Sequence, residues 1–241
     1  MMRINKFLAQ CGVASRRHAD VLVAAGHVKV NGEKITSPGV QIDDQNDIIS
    51  VDDKVVTLVQ AKTYVILNKP AGYLTSHSDP HHNKTVMRLL KDVGCRVNPI
   101  GRLDLDTQGA LLFSDDGELA HRLTHPSYSI KKVYHANVAG QVMKEVLPAF
   151  QTGIRLPDGA IGKGKASILE IGKLNSVLEI TLTEGRKREV KYMCQTVGYP
   201  VRNLTRVSFG GITCEGLKLG AWRHLSDEEI KSLRRLVKLD H

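Results

Sequence analysis

The chain has 241 residues, with 34 Lys plus Arg against 25 Asp plus Glu and 41% hydrophobic residues, a globular composition carrying nine surplus positive charges. Its longest uncharged apolar runs, such as residues 55–61 and 110–113, fall far short of the roughly twenty residues a bilayer-spanning helix needs. Disorder and membrane insertion are therefore not expected, and because the start at Arg3 and Lys6 has no apolar export core, a cytoplasmic protein is.

Ile4, Phe7, Leu8 and Cys11 fall at i, i+3, i+4 and i+7, a helical stripe that Gly12 can end. Ser15 suits the N-cap of a second helix through Ala19, Leu22 and Val23, with Gly26 just past its end. Val28 and Val30 then alternate with polar residues, Asn31-Gly32 is a strong hairpin signal, and Ile35 resumes the alternation. A strand over 47–51 closes this helix-helix-hairpin unit, expected over residues 1–60. Charge is polarised within it. Residues 1–36 carry six basic and two acidic side chains, whereas 37–60 carry one basic and five acidic; that asymmetry suggests a face made for a polyanion.

After Asp53 a weakly structured link is expected, and the second domain is read as residues 61–241. Residues 64–67 read as a buried strand halted by Asn68-Lys69-Pro70. Apolar spacing then predicts helices over 86–93, 118–123, 142–150 and 190–197, and strands over 110–113, 133–138 and 177–183. Ser226 with Glu229 forms a capping box for a terminal helix. Connections too short for right-handed crossovers make the expected class α+β, with a mostly antiparallel sheet and flanking helices.

Two constellations carry chemistry. In the first, Arg16, Arg17 and His18 occupy the first turn of the second helix, where backbone N–H groups and cations can face the same phosphates, with Lys6 and Lys29 extending the surface. A solvated helix face is the plainer account of an Arg-Arg pair. The second is Gly101-Arg102-Leu103-Asp104-Leu105-Asp106-Thr107-Gln108-Gly109, which by itself could be a turn whose aspartates cap backbone N–H groups.

Together with their surroundings these stretches resemble known families. Arg3, Lys6, Phe7, Leu8, Ala9, Gly12, Ala14, Ser15, Arg16, Arg17, Gly26, Val28, Val30, Asn31 and Gly32 match the pattern of the alpha-L, or S-four-type, RNA-binding domain. The nonapeptide is similar to the signature of ribosomal RNA pseudouridine synthases of the RsuA and RluB type. Leu67-Asn68-Lys69-Pro70-Ala71-Gly72, Lys132-Val133-Tyr134 and Glu184-Gly185-Arg186-Lys187-Arg188-Glu189-Val190-Lys191 follow in the family's order.

The resemblance implies that a uridine in ribosomal RNA is isomerised to pseudouridine. It puts the catalytic aspartate at Asp104, its cationic partner at Lys191, a ring that stacks on the target uracil at Tyr134, and a side chain beside the flipped nucleotide at Arg102. Arg3, Lys6, Arg16, Arg17, His18, Lys29, Asn31, Arg186 and Arg188 are the RNA-binding candidates. Asp104 is expected in a pocket shielded from water, with Lys191 keeping it charged. Arg186, Lys187, Arg188, Arg202 and Arg206 read as a second basic cluster, partly paired at the surface with Glu184 and Glu189.

The run from His125-Pro126 through Gly153-Ile154-Arg155-Leu156 to Gly185-Arg186 resembles members acting on large-subunit RNA, with a small-subunit target as the alternative. The reaction has no net redox change, so no cofactor is expected. A structured RNA stem-loop is the expected partner and a monomer the default. The histidines His81, His82, His121, His125 and His135 lack matching ligands, so no metal is expected. Cys11, Cys95, Cys194 and Cys214 show no Cys-x-x-Cys pair and read as reduced, mostly packed thiols. Two other classes compete: a non-catalytic RNA-binding factor in ribosome assembly, and a hydrolase that releases uracil.

Overall fold

The structure is a computed structural model that describes residues 1–58 and 61–239. Contacts group the chain into two compact units, Met1–Thr63 with Asp115–Gly117, and Tyr64–Ser114 with Glu118–His241. The boundary expected between residues 60 and 61 adjoins positions 59 and 60, which lie outside the described residues.

In the small unit, helices Ile4–Gln10 and Arg16–Ala24 form as their apolar spacing predicts. The Ser15 side chain accepts a hydrogen bond from the His18 N–H at 3.2 Å, satisfying one donor that the first turn would otherwise leave open. Strands Val28–Val30 and Glu33–Ile35 pair antiparallel across Asn31 and Gly32, whose φ of 51° and 85° are those of a type I′ hairpin turn. Ile49–Val51 and Lys54–Val55 complete that sheet, so the expected link begins with a short strand. A further pair, Met2–Arg3 with Gln41–Ile42, escapes the sequence because two residues carry no period. Ile4, Leu8, Ala19, Val23, Val28, Ile42 and Ile49 make the core.

The large unit is built on a nine-stranded sheet: β1 (Tyr64–Lys69), β2 (Asn98–Ile100), β3 (Thr107–Ser114), β4 (Lys132–Ala139), β5 (Lys165–Ile171), β6 (Asn175–Leu182), β7 (Val201–Phe209), β8 (Ile212–Thr213) and β9 (Trp222–His224). The main path runs β5-β6-β4-β7-β3-β1-β9, with β2 on β3 and β8 on β7. Every pairing is antiparallel except β7 with β3, so the α+β class with a mostly antiparallel sheet holds. At that parallel seam Gly109 has φ 102°, and a Cβ there would lie 2.2 Å from the Arg206 carbonyl oxygen. Only glycine allows the two backbones to approach so closely.

Helices Gly117–Thr124 and Asp227–Leu236 cover one face through Leu119, Leu123 and Leu233, the latter helix opened by the Ser226–Glu229 capping box. Helix Glu189–Thr196 contributes Val190, Met193 and Cys194 to a second core with Phe150, Ile180 and Leu204. A third core packs Val86, Leu90 and Leu103 on Val65, Leu67, Leu111 and Phe113.

Three local expectations need correction. The helix over 86–93 is two short 3-10 turns, Val86–Leu89 and Lys91–Val93. Leu90, at φ −113° and ψ 16°, leaves helical geometry between them, and the Val86 N–H is tied to the Leu74 carbonyl. The helix over 142–150 becomes a 3-10 turn, Lys144–Val146, followed by Leu147–Thr152. Pro148, which lacks an N–H, fits only in the first turn of the latter. The strand at 64–67 is not halted by Asn68-Lys69; it continues to Lys69, paired with Ala110 and Gly109. Among the described residues no helix is long and apolar enough to cross a membrane.

Candidate active site

The nonapeptide leaves β2, turns over residues 101–106 and enters β3 at Thr107. Four anchors fix the turn. Leu103 is buried in the third core. Thr75 Oγ1 donates to the Leu103 carbonyl at 2.9 Å and accepts from the Leu103 N–H at 3.3 Å. The Gly72 N–H donates to the Leu105 carbonyl at 2.7 Å.

Lys69 supplies the fourth anchor. It is fully buried, and its ammonium donates to the carbonyls of Thr107 at 2.9 Å, Asp104 at 3.0 Å and Pro70 at 3.2 Å, with Leu105 at 3.4 Å. Burial pushes its pKa down to about 8, while the negative charges of Asp106 and Asp104 act in the opposite direction. A lysine between a strand and a proline looks, in sequence, like a surface stop signal. Here it holds the backbone that carries both aspartates.

Lys191, on helix Glu189–Thr196, reaches Asp104 at 3.3 Å and Asp106 at 2.5 Å. The expected pairing with Asp104 is present, but Asp106 shares the cation, a partner the sequence reading passed over. Burial works against the ionised Asp106; the hydrogen bond and charge of Lys191, joined by Arg188, outweigh it and hold its pKa below the usual carboxylate value. The shielding also differs from expectation. The Lys191 side chain is 10% exposed and that of Asp104 is 31% exposed, so the cation is sheltered and the carboxylate faces the cleft. Lys191 lies low because its helix packs into the core, while Asp104 rides a turn at the surface.

Arg102, Leu103, Asp104 and Thr107 line one cleft with Tyr134 of β4, Leu204 of β7 and Arg186, Arg188, Glu189 and Val190. Tyr134 sits opposite Ile180 on β6 and Arg206 on β7, so the sheet carries it to the cleft. The structure thus brings Asp104, Tyr134 and Arg102 together on one cleft, with Lys191 bonded to Asp104. Arg186 and Arg188 join them; Arg186 binds Glu184 at 3.1 Å, and the Arg188 guanidinium lies 5.9 Å from the Tyr192 ring.

One member of the expected basic surface and one of its acidic partners lie inside instead. Arg206 is 2% exposed and donates through Nε to the Ala110 carbonyl at 2.8 Å. Glu189 is buried, accepts from the Arg186 N–H at 2.9 Å, and is pushed up in pKa by its burial. Strand alternation on β7 points Arg206 inward, which the unrecognised strand concealed.

In the small unit Arg3, Lys6, Arg16, Arg17 and His18 are exposed. Lys29 binds Asp53 at 2.5 Å. Both ends of the Asn31 amide are occupied, donating to Asp47 at 2.9 Å and accepting from the Ile48 N–H at 2.9 Å, so Asn31 staples the hairpin to the next strand. Burial pushes the Cys11 thiol up to about 11, against the opposing charge of Lys62, and the Cys194 thiol up to about 12; Cys95 is exposed, unlike the packed thiols expected. Among the described residues no three His, Cys, Asp or Glu side chains converge as a metal site would require.

Comparison with known proteins gives concordant findings. Residues 63–196 match the RNA pseudouridylate synthase family and residues 2–49 match the S4 domain. An uncharacterized RNA pseudouridine synthase of Aquifex aeolicus is 44% identical over 100% of this chain and 96% of its own length. The ribosomal large subunit pseudouridine synthase B of Bacillus subtilis is 40% identical over 100% and 98%. A crystal structure of a pseudouridylate synthase aligns with TM-score 0.69 and 31% identity, covering 97% of this chain and all of that one.

Proposed function

The chain belongs to the RNA pseudouridine synthase family and carries an S4 domain, and from that premise we propose that it converts one uridine of large-subunit ribosomal RNA to pseudouridine at the Asp104 cleft. The non-catalytic assembly-factor reading gives way to an enzyme. The observation that carries the site is the joining of Asp104 to Lys191 at 3.3 Å on a cleft that also presents Tyr134 and Arg102. The substrate assignment rests on the full-length similarity to a large-subunit enzyme.

In this reading residues 1–60 dock the RNA through Arg3, Lys6, Arg16, Arg17 and His18, and residues 61–241 perform the chemistry, as a monomer in the cytosol. Arg102 occupies the space beside the displaced nucleotide, and Tyr134 stacks on the uracil. Turning a base out costs a few kcal/mol, which stacking and phosphate contacts offset. The bond from uracil N1 to ribose C1′ then breaks and a bond from C5 to C1′ forms; C5 loses its hydrogen and N1 gains a proton, so atoms and electrons balance. Asp104 is the group that attacks the nucleoside or stabilises positive charge on the sugar. Lys191 anchors its carboxylate, and the Lys69 clamp fixes the turn that presents it.

Pseudouridine mapping on ribosomal RNA from cells with and without the protein tests the assignment: one large-subunit position should lose its modification. Asp104→Asn should bind RNA and lose at least about a thousandfold in turnover. Full activity in that variant would remove Asp104 from the mechanism.

A further inference from the structure

Beside the Asp104 cleft lies a second cavity that shares Arg102, Tyr134 and Arg186 with it and adds Lys132, Arg206 and Phe209. Its floor is cationic. Lys132 is 9% exposed and Arg206 2%, both stand over the Phe209 ring, at 5.8 and 5.0 Å, and burial together with the like charge of Arg206 works against the charged form of Lys132. The Lys132 ammonium donates to the Thr183 carbonyl at 3.0 Å, leaving two of its three protons, and Arg206 Nη2 is buried without a hydrogen-bond partner.

Acids balance this charge only in part. Of the groups lining the cavity only Glu184 is acidic, and it is bound to Arg186. Glu189, the other carboxylate acting on Lys132, accepts the Arg186 N–H and does not line this cavity. Two desolvated like charges side by side are costly unless an anion shields them.

We propose that Lys132 and Arg206 form a subsite for one phosphodiester of the RNA backbone, next to the uridine held at Asp104. The cavity wall presents an excess of donors and cations, which suits a phosphate and not the mixed edge of a base. Because Arg102 and Tyr134 wall both spaces, a phosphate here belongs to the displaced nucleotide or its immediate neighbour. Its role is to hold that nucleotide out of the helix by gripping the backbone, which supplies part of the energy that displacement costs. The subsite rests on the reading of the Asp104 cleft given above.

The test uses the stem-loop that carries the mapped uridine, with single uncharged methylphosphonates placed within two nucleotides of it. One position should slow the wild type at least tenfold and slow Lys132→Gln less than threefold. In an Asp104→Asn background, Lys132→Gln should also reduce the slope of log affinity against log salt by about 0.7 to 0.9. If Lys132→Gln does not fold, the wild-type scan decides alone. A flat scan, or equal losses in both proteins, overturns the subsite while leaving the enzyme intact; no product from the all-phosphate RNA refutes the function proposed above and the subsite with it.

Discussion

In the small unit Arg3, Lys6, Arg16 and Arg17 stand in solvent, whereas in the large unit Lys69, Lys132, Lys191 and Arg206 are at least nine-tenths buried. The exposed set is hydrated and screened, and suits contacts that trade one counterion for another. The buried set is held by backbone carbonyls and carboxylates at 2.5 to 3.3 Å, so part of its hydrogen bonding fixes geometry. Identical residue types therefore do different work according to whether water can reach them.

The largest effect expected from breaking this contrast is at Lys191. Lys191→Met removes the cation that Asp104 and Asp106 share as an ion-pair partner, and kcat should fall by roughly a hundredfold while RNA affinity stays within about threefold. Lys191→Arg should recover part of the loss. Single-turnover kinetics with a filter-binding series would check both, and an equal fall in affinity would show that Lys191 acts on binding.

At Lys69 the readout is stability. Lys69→Met strands three to four carbonyls beneath the 101–109 turn and should cost about 2–4 kcal/mol by denaturant unfolding. The folded-state pKa near 8 lies below the ordinary lysine value of 10.5. Between those values the unfolded chain binds more protons, so the wild type gains stability as pH rises through the window, up to about 3 kcal/mol in total. Lys69→Met should lack that gain. Parallel curves for the two proteins between pH 8 and 10.5 would contradict the buried, charged assignment.

The smallest effect expected is on the exposed side. Arg16→Glu with Arg17→Glu should weaken RNA binding about tenfold at low salt and flatten the salt dependence by one to two units of slope, with turnover of bound RNA unchanged. Affinity equal to the wild type at every salt concentration would remove these residues from docking.

Much of the small unit was legible because its signals are local. The Ser15 cap, the Ile4-Phe7-Leu8 stripe and the Asn31-Gly32 turn each act within a few residues. The same holds for Glu229 at Ser226 and for Gly101 and Gly109 bracketing the site loop. Strands β5 and β7 stayed hidden. β5 is largely exposed, and β7 mixes Arg202, Asn203 and Arg206 with apolar residues, so neither shows a clean alternation; β7 is moreover defined by partners distant in sequence.

From the sequence came the division into a basic module and an α+β domain, and, through the family resemblance of the motifs they sit in, the grouping of Asp104, Tyr134, Lys191 and Arg102. Tertiary structure alone decided that Lys69 lies beneath the loop, that Asp106 shares Lys191, and that Arg206 faces inward. Helix caps and turns are settled by neighbours along the chain. The hydration of a charge depends on which distant backbone closes over it, and that emerges only when the sheet is assembled.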